Sequence, residues 1–503
     1  MTLQNTNRAS SISDEITYLI SINQDQTIGL LGVNSWDEYL KNHGIEVVKE
    51  VRGMESLTTL GAGQDAEKIF VGKIDPAKLT ELQRNPPLGI EIAKNEILHY
   101  GEKSNYSTIE LLSTEEGVVQ KFQFRVLGEG DTPLKNAKII LTLINGYKFE
   151  GQTNEDGLTE IEVKINNLKN IINIRVTVPN NYWDFYLKLP ALSTTQTNQV
   201  RMVSLAESIK GFPKEFCFGW GQSLMGLDKL PIDKRTGAGV KIAIIDSGCD
   251  TSHPSLSHIK IGKDFTDNPD SIWNSDSIGH GTHCAGIIAA KGYEENPFSG
   301  FAPDAEIHIL KIFPNGQYDN VIAALKYCRE KNIDIVNMSL GGSPEINSVL
   351  EKEIQLSVDS GIACIAAAGN SGGAVLYPAS SPNTLAVAAV GDYKQLQPKT
   401  WEATTKQDGF MASDGVFLPD FTCLGPEVDV YAPGVGIVST FPGGAYKPDS
   451  GTSMAAPHVS GLAALLLAHH TLFQNQFRER NRERVAALFN LIRSHSAIHS
   501  FRS

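Results

Sequence analysis

The stretch VKIAIIDSGCD, residues 240–250, indicates the fold class of the largest part of this chain. Its first half is an apolar run with little alternation, which is typical of a strand buried on both faces of a parallel sheet. Further strands are expected at 307–313, 333–338, 363–368 and 385–390, and helices at 280–291, 319–331, 346–360 and 454–470. This alternation predicts an α/β domain over residues 215–503, a parallel sheet with helices on both faces.

Two smaller modules are expected ahead of this domain. Residues 14–100 alternate patterns in the order strand, helix, strand, strand, helix, strand, which predicts a small ferredoxin-like α+β module. Residues 105–195 carry short strand patterns separated by turns rich in Gly, Asn and Asp, which predicts a β-sandwich. We interpret residues 1–13 as a flexible N-terminus and the polar residues 196–214 as a linker.

Composition limits the classes of partner and compartment. The chain has 503 residues and a net charge of −13. No basic stripe could neutralise phosphates, so neither nucleic acid nor an anionic membrane is expected as a partner. No apolar run approaches the ~18–20 residues that span a bilayer, and no signal-peptide pattern is visible. Six dispersed cysteines indicate reduced thiols and a cytoplasmic protein, although secretion by a route that the sequence does not reveal stays open.

Three peptides of the α/β domain carry the residue types of a serine hydrolase. They are KIAIIDSGCD at 241–250, HGTHCAG at 280–286 and GTSMAAPHVSG at 451–461. Each lies where a strand ends or a helix begins, and active sites of open α/β sheets gather at such positions. Serine hydrolysis needs a hydroxyl nucleophile, an imidazole that takes its proton and a carboxylate that orients the imidazole.

These peptides resemble the active-site motifs of the subtilases, the subtilisin-like serine proteases, in the same order along the chain. The resemblance implies Ser453 as the nucleophile, His280 as the general base and acid, and Asp246 as the orienting carboxylate. A further match, AAAGNSG at 366–372, implies that the amide of Asn370 helps to hold the oxyanion.

The resemblance also implies where a substrate binds. The motif NMSLGG at 337–342 is similar to the family's edge strand, so Ser339, Leu340 and Gly341 are expected to pair with extended polypeptide. Leu376, in VLYPA at 375–379, aligns where the family often has small residues in its specificity pocket. We therefore expect a small or differently shaped residue before the scissile bond.

This chain differs from the family pattern at the expected calcium site and by an insertion at 393–420. Many subtilases have HPDL after the catalytic aspartate, and the Asp of that motif ligates calcium. This chain has HPSL at 253–256 and replaces the calcium loop by KGYEENPFSG at 291–300. Calcium prefers several oxygen ligands including carboxylates, so no ion is expected there, and neither metal ligands nor a cofactor is assigned. Residues 393–420 are an insertion that is expected to cover the cleft or to contact a partner.

The segments KIFVGKIDPAKLTELQRNP at 68–86 and GIEIAKNE at 89–96 resemble the inhibitor-type propeptide of subtilases. Residues 133–163 resemble a carboxypeptidase-regulatory-like sandwich. In the family the tail of the propeptide lies in the cleft, as chaperone and inhibitor. Because the sandwich intervenes here, the sequence leaves open whether the tail lies directly in the cleft. Either a loop near 190–215 is cleaved, or the module stays attached and regulates.

The leading hypothesis is a serine endopeptidase that acts on an intracellular polypeptide and is made as an autoregulated or self-processing zymogen. Its own N-terminal module is the expected inhibitor. One alternative is a secreted protease of broad specificity. The other is a catalytically silent protein of the same fold, whose cleft only holds peptides.

Overall fold

The structure is a computed structural model that describes residues 16–23, 40–52, 67–87, 89–100, 117–268, 270–292 and 297–497. The expected flexible N-terminus at 1–13 lies outside these residues, as does the start of the expected sandwich at 105–116. Among the helices of the described ranges, none is both long enough and apolar enough to cross a bilayer.

The N-terminal module is a four-stranded antiparallel sheet in the order β2-β3-β1-β4. A helix packs its Leu79 and Leu82 against the apolar face of this sheet. The carboxylate of Asp75 begins this helix by accepting a hydrogen bond from Ala77 N, at 2.9 Å. The described elements are β1 (Tyr18–Asn23), β2 (Ile45–Glu50), β3 (Glu67–Ile74), α1 (Pro76–Arg84), β4 (Ile90–Lys94) and the short β5 (His99–Tyr100), which leaves the module.

The second module consists of two sheets, β11-β10-β7-β8 and β12-β6-β9. Alternate residues of their strands face each other, and the core between the sheets includes Phe122, Leu141 and Val163. The strands are β6 (Val118–Leu127), β7 (Lys138–Leu143), β8 (Lys148–Gln152), β9 (Leu158–Ile165), β10 (Ile171–Thr177), β11 (Phe185–Lys188) and β12 (Asn198–Arg201).

Residues 196–214, expected as a linker, are instead structured. Strand β12 pairs in parallel with β6 and buries Val200 in the core of the second module. The short helix α2 (Leu205–Ser208) follows, and Ser204 and Glu207 form a capping box at its start. The strand of four residues was not predicted because its composition is polar. The spacing of Ser204 and Glu207 is typical of a helix start and could have predicted the helix.

The third module holds the parallel sheet predicted from the sequence, and the α/β prediction is confirmed. Seven strands run parallel in the order β14-β15-β13-β16-β18-β19-β22. Their carboxyl ends therefore lie along one edge of the sheet. The strands are β13 (Lys241–Asp246), β14 (Ile261–Asp264), β15 (Glu306–Lys311), β16 (Ile335–Met338), β17 (Leu340–Gly341), β18 (Ala363–Ala367), β19 (Leu385–Asp392), β20 (Lys406–Met411), β21 (Val416–Pro419), β22 (Val430–Pro433), β23 (Ile437–Phe441) and β24 (Ala445–Asp449).

The helices of this module cover both faces of the sheet. Helix α7 is deeply placed, since thirteen of its first fourteen residues are buried and only Leu462 among them is not, and it packs against β16 and β19. The helices are α3 (Trp220–Leu224), α4 (His280–Ala289), α5 (Tyr318–Glu330), α6 (Ser348–Asp359), α7 (Thr452–His469), α8 (Thr471–Gln474) and α9 (Arg482–Ser494).

The N-terminal module is fixed to the third module near the starts of α5 and α6. The side chain of Asn95 donates to Asp319 Oδ1 at 2.9 Å and accepts from Asp319 N at 3.1 Å. Lys49 forms an ion pair with the other oxygen of this carboxylate at 2.8 Å. The amide of Asn347 donates to the Lys94 carbonyl at 2.8 Å. These polar contacts set the path by which the chain reaches β5.

The insertion at 393–420 contacts the second module. Strands β20 and β21 form an antiparallel hairpin on the end of β19. Ahead of this hairpin, Tyr186 N donates to the Lys399 carbonyl at 2.7 Å, and Phe185 pairs with Thr400. The insertion thereby joins the second module to the third.

Candidate active site

Asp246 and His280 meet at the carboxyl edge of the parallel sheet. Asp246 is the last residue of β13, and His280 is the first residue of α4. His280 Nδ1 lies 2.8 Å from Asp246 Oδ1 and 3.0 Å from Oδ2. Because a carboxylate only accepts, Nδ1 carries the proton. His280 Nε2 is buried and has no hydrogen-bond partner, so it is available to accept a proton.

Local contacts hold the start of α4 against the end of β13. Gly281 lies against the carbonyl of Gly248, where no side chain would fit. Gly281 N donates to Ser247 Oγ at 2.8 Å. Asp276 accepts from Gly279 N at 2.8 Å and from Thr282 N at 2.9 Å, which satisfies the first N–H groups of the helix. Sequence reasoning missed Asp276, although an Asp shortly before a predicted helix is a cap signal.

The environment of His280 shifts its affinity for protons in two directions. Burial lowers the pKa of His280, and the charge and hydrogen bond of Asp246 raise it. The carboxylate outweighs burial, so the pKa of His280 lies above its ordinary value. Asp246 thus stabilises the imidazolium that forms when His280 takes a proton.

Ser453 lies at the amino end of α7, beside the same edge of the sheet. Its Oγ donates to the Ser339 carbonyl at 3.3 Å. Its own carbonyl accepts from Ser339 Oγ at 2.8 Å and from Cys284 Sγ at 3.5 Å. The backbone of Ser453 is therefore fixed, and its hydroxyl is turned towards the Ser339 carbonyl.

Asn370 and Ser453 line the same cavity, and hydrogen bonds fix the orientation of the Asn370 amide. Its Oδ1 accepts from Thr452 N at 2.8 Å and from Thr452 Oγ1 at 2.9 Å. Its Nδ2 faces Gly451, where a Cβ atom would lie only 3.0 Å away. This arrangement turns the donor end of the amide towards the segment that carries Ser453.

The edge strand β17 pairs with β5, the tail of the N-terminal module. The two strands are antiparallel, with Leu340 opposite Tyr100 and Gly341 opposite His99. The tail therefore reaches the edge strand, a placement that the sequence had left open. The length of chain inserted after residue 100 does not prevent the tail from reaching β17, because the second module packs beside the third and not between it and the N-terminal module. Tyr100 was not identified from the sequence.

A small cavity lies among the residues that were expected to form the specificity pocket. Leu376, Leu340, Gly341, Asn370 and Ser453 line a cavity of about 20 Å³, which His99 borders as well. The side chain of Leu376 packs against Gly341 and Gly369. A cavity of this size holds about one water molecule. Leu376 thus forms one wall of this cavity, and its role in substrate choice stays a prediction.

Within the described residues, one cluster of potential metal ligands coincides with this site. Within the described ranges, the three potential ligands that lie within 4.8 Å of one another are Asp246, His280 and Cys284. Ser255, which replaces the family's calcium ligand, is buried and its hydroxyl lies 3.0 Å from Tyr446 OH. Part of the loop at 291–300 lies outside the described residues, and the absence of calcium there stays a prediction. All six cysteines are free and buried.

About half of this chain is similar in sequence to known proteins. The model of the subtilase family matches residues 237–482. Subtilisin NAT of Bacillus subtilis subsp. natto is 39% identical over 254 residues, which are 49% of this chain and 60% of that protein. The subtilisin of Bacillus pumilus is 39% identical over 254 residues, and the match covers 83% of it.

A third relative is the major intracellular serine protease of Bacillus subtilis (strain 168). It is 36% identical over 259 residues, which are 48% of this chain and 73% of that protein. The matched part thus spans less than two thirds of subtilisin NAT but most of the other two relatives. On the extent and identity of these matches, the chain belongs to the subtilase family.

Proposed function

We propose that this chain is a serine endopeptidase that cleaves extended polypeptide through an acyl-enzyme on Ser453. The observation that carries the proposal is the hydrogen bond between Asp246 and His280, whose Nε2 has no hydrogen-bond partner. Ser453 and Asn370 line one cavity, and Cys284, on the same helix as His280, contacts the Ser453 carbonyl through its Sγ at 3.5 Å. The names of the matched relatives, subtilisins and an intracellular serine protease, support the same activity.

The residues perform the reaction in two stages. In the first, His280 Nε2 takes the proton of Ser453 Oγ while this oxygen attacks the peptide carbonyl, and Asp246 keeps the imidazole in the required tautomer. The amide of Asn370 and the backbone N–H of Ser453 donate to the oxyanion. His280 then gives its proton to the leaving amine. In the second stage, water replaces the amine and releases the acyl group by the same route.

The N-terminal module is proposed to act as the inhibitor of this cleft. Its sheet order, β2-β3-β1-β4, supports a ferredoxin-like module, and its tail pairs antiparallel with β17, an edge to which an extended peptide could add. Cleavage C-terminal to Tyr100 would convert the chain from a zymogen into an active enzyme. The β-sandwich is proposed to stay with the peptidase, since it contacts the third module directly.

We further propose that the substrate is an intracellular polypeptide in an extended conformation. Pairing with β17 requires a free backbone, which a folded helix does not offer. Six free, buried thiols are consistent with a reducing compartment, and one matched relative bears the name of an intracellular protease.

The test combines a serine-directed fluorophosphonate with intact mass measurement. Wild type and the matched control Ser257→Ala, an exposed serine, are expected to gain one adduct each, and Ser453→Ala none. Wild type is also expected to lose an N-terminal fragment that ends after Tyr100, which Ser453→Ala keeps. The variant Tyr100→Ala is included so that a blocked cleft does not hide the nucleophile. If neither wild type nor Tyr100→Ala is labelled, the chain is a silent peptide-binding protein and the proposal is wrong.

A further inference from the structure

The tail of the N-terminal module is held along both of its edges. On one edge, Tyr100 lies opposite Leu340 of β17 in antiparallel pairing. On the other edge, Leu98 N donates to the Gly316 carbonyl at 2.8 Å. A strand that is bound on both edges has a fixed register, because a shift by one residue would turn every side chain to the opposite face. The tail therefore shows where successive side chains of an extended polypeptide would lie in this cleft.

The register of this pairing relates the place of Tyr100 to the nucleophile. Ser339 directly precedes β17, and its carbonyl accepts from Ser453 Oγ at 3.3 Å. Since Tyr100 is opposite Leu340, a polypeptide bound in the same register would place its next residue opposite Ser339. That residue would lie beside Ser453 Oγ and carry the carbonyl that this oxygen attacks. A substrate side chain in the place of Tyr100 therefore belongs to the second residue before the scissile bond.

The side chains of the tail alternate between the protein and solvent. Leu98 is 3% exposed, His99 is exposed, and Tyr100 is half-buried. The centroid of the Tyr100 ring lies 4.7 Å from that of Phe313, with planes inclined by 56°, and 5.3 Å from that of His280. Tilted aromatic pairs are favourable at centroid distances of about 4.5–7 Å. Both contacts therefore stabilise an aromatic side chain in this place.

The position of Phe313 is set by the third module. The backbone N–H groups of Ile312 and Phe313 both point to the carbonyl of Asp246, at 2.8 Å and 3.4 Å. Gly316 lies against the ring of Phe313, since a Cβ atom at Gly316 would be only 3.1 Å from Phe313 Cε1. These contacts involve no residue of the tail. The ring of Phe313 is therefore in place beside His280 for a substrate as well as for the tail.

The charges near Tyr100 disfavour an acidic side chain. Burial, with the negative charges of Asp246 and Asp276, raises the pKa of Tyr100. The same charges would repel a carboxylate in this place. An aliphatic side chain would be tolerated, but it would make no ring contact with Phe313 or His280. The surroundings thus favour a neutral aromatic side chain.

We propose that Phe313 and His280 form a subsite that selects an aromatic side chain as the second residue before the scissile bond. The proposal rests on the proposed peptidase activity. It makes Phe313 a specificity-determining residue, whereas His280 is needed for every substrate. Polypeptides with Tyr or Phe in this position are the expected substrates, and the tail inhibits because its Tyr100 has the side chain that the subsite prefers.

The first test measures cleavage by enzyme that has been separated from its cut N-terminal module, so that the tail does not occupy the cleft. Peptides differ only in the second residue before the scissile bond, which is Tyr, Phe, Leu or Glu. If each ring contact contributes about threefold, kcat/KM should be about tenfold higher for Tyr or Phe than for Leu, and lowest for Glu. Phe313→Leu should reduce the tenfold ratio to about threefold. The matched control Phe410→Leu, which changes an exposed phenylalanine, should keep it.

The second test needs no turnover, because the tail itself is the ligand. In full-length Ser453→Ala, hydrogen exchange of residues 97–100, measured by mass spectrometry, reports how often the tail leaves the cleft. Adding Tyr100→Phe should keep the protection. Adding Tyr100→Leu should raise the exchange rate about tenfold, and adding Phe313→Leu about threefold. The double change should reach only about tenfold, since both remove the same contact.

The two tests separate the subsite from the activity on which it rests. If no peptide is cleaved but exchange follows the expected pattern, the subsite stands and the proposed peptidase activity fails. If peptides are cleaved at equal rates with Tyr and Leu, the activity stands and the subsite is wrong. A preference that Phe313→Leu retains in full also overturns the subsite. So does an exchange rate that Tyr100→Leu leaves unchanged, or one that rises about thirtyfold in the double variant, which would show that Tyr100 and Phe313 act independently.

Discussion

The ring of Tyr100 lies 5.3 Å from the ring of His280, with the planes inclined by 53°. Tyr100 also contacts Phe313, with ring centroids 4.7 Å apart. The last described residue of the N-terminal module therefore touches the imidazole on which the proposed reaction depends. A peptide substrate cannot occupy this place until Tyr100 leaves it.

Replacing Tyr100 by Ala should weaken binding of the tail beside His280, because it removes the ring contacts with His280 and Phe313. Each aromatic contact contributes about 0.5–1.5 kcal/mol, so loss of two should increase the open fraction by roughly tenfold to a hundredfold. Intact Tyr100→Ala should cleave a fluorogenic peptide without the lag expected of wild type. Tyr393→Ala, which removes an exposed tyrosine, serves as control. An unchanged lag for Tyr100→Ala would show that the tail does not limit access.

Replacing Asp246 by Asn should lower kcat by about 10⁴, the effect of losing the orienting carboxylate of a serine protease triad. Because Asp246 raises the pKa of His280, its loss should also move the acid limb of the rate profile to lower pH. The neutral form of His280 is the active one, so activity rises with pH through the pKa of His280. A lower pKa therefore moves this rise to lower pH. The profile of kcat/KM against pH, with Asp228→Asn as control, measures both effects. A profile that shifts to higher pH contradicts the assignment.

Replacing Leu376 by Ala should enlarge the specificity pocket. The present cavity is about 20 Å³, and Leu376 forms one of its walls. The variant is expected to gain at least about tenfold in kcat/KM for Phe over Ala before the scissile bond, since each buried methylene adds ≈ 0.8 kcal/mol. A peptide library cleaved by wild type and variant reports the change. If wild type already favours aromatic residues, Leu376 does not restrict the pocket.

The buried carboxyl of Glu402 should make stability depend on pH. Burial, with the charge of Asp184, raises its pKa from 4.5 to about 7. The folded chain then binds more protons than the unfolded chain between these values, so stability falls as pH rises from about 4.5 to 7, by on the order of 3 kcal/mol. Denaturant unfolding of Ser453→Ala at several pH values should show this slope. Adding Glu402→Gln should remove it, whereas adding Glu479→Gln should not.

The sequence predicted those features that depend only on neighbouring residues, such as where strands end and helices begin. Asp246 ends an apolar strand, and His280 and Ser453 begin helices, so the order of elements alone brings them to one edge of a parallel sheet. Asn370 follows another strand of that sheet. These positions require no knowledge of contacts between modules.

What the sequence did not predict depends on contacts between distant segments. The resemblance of residues 68–96 to a propeptide suggested a tail near the cleft, but the pairing of Tyr100 with Leu340 does not follow from the residues around Tyr100. Similarly, Asp184 and Glu402 each resemble a solvated surface carboxylate until the pairing of Phe185 with Thr400 buries them together. Strand β12 was missed because four residues carry too little alternation to outweigh a polar composition.

The position of the sandwich after the tail has a kinetic consequence. While the chain is intact, the proposed inhibitory tail is covalently linked to the domain whose β17 it pairs with, and a linked ligand acts at an effective concentration of up to about a millimolar. A single cut after Tyr100 leaves every contact of Asn95 with Asp319 in place but removes the tether. Inhibition then becomes a binding equilibrium between two molecules. The inhibited fraction of the cut enzyme would therefore fall on dilution.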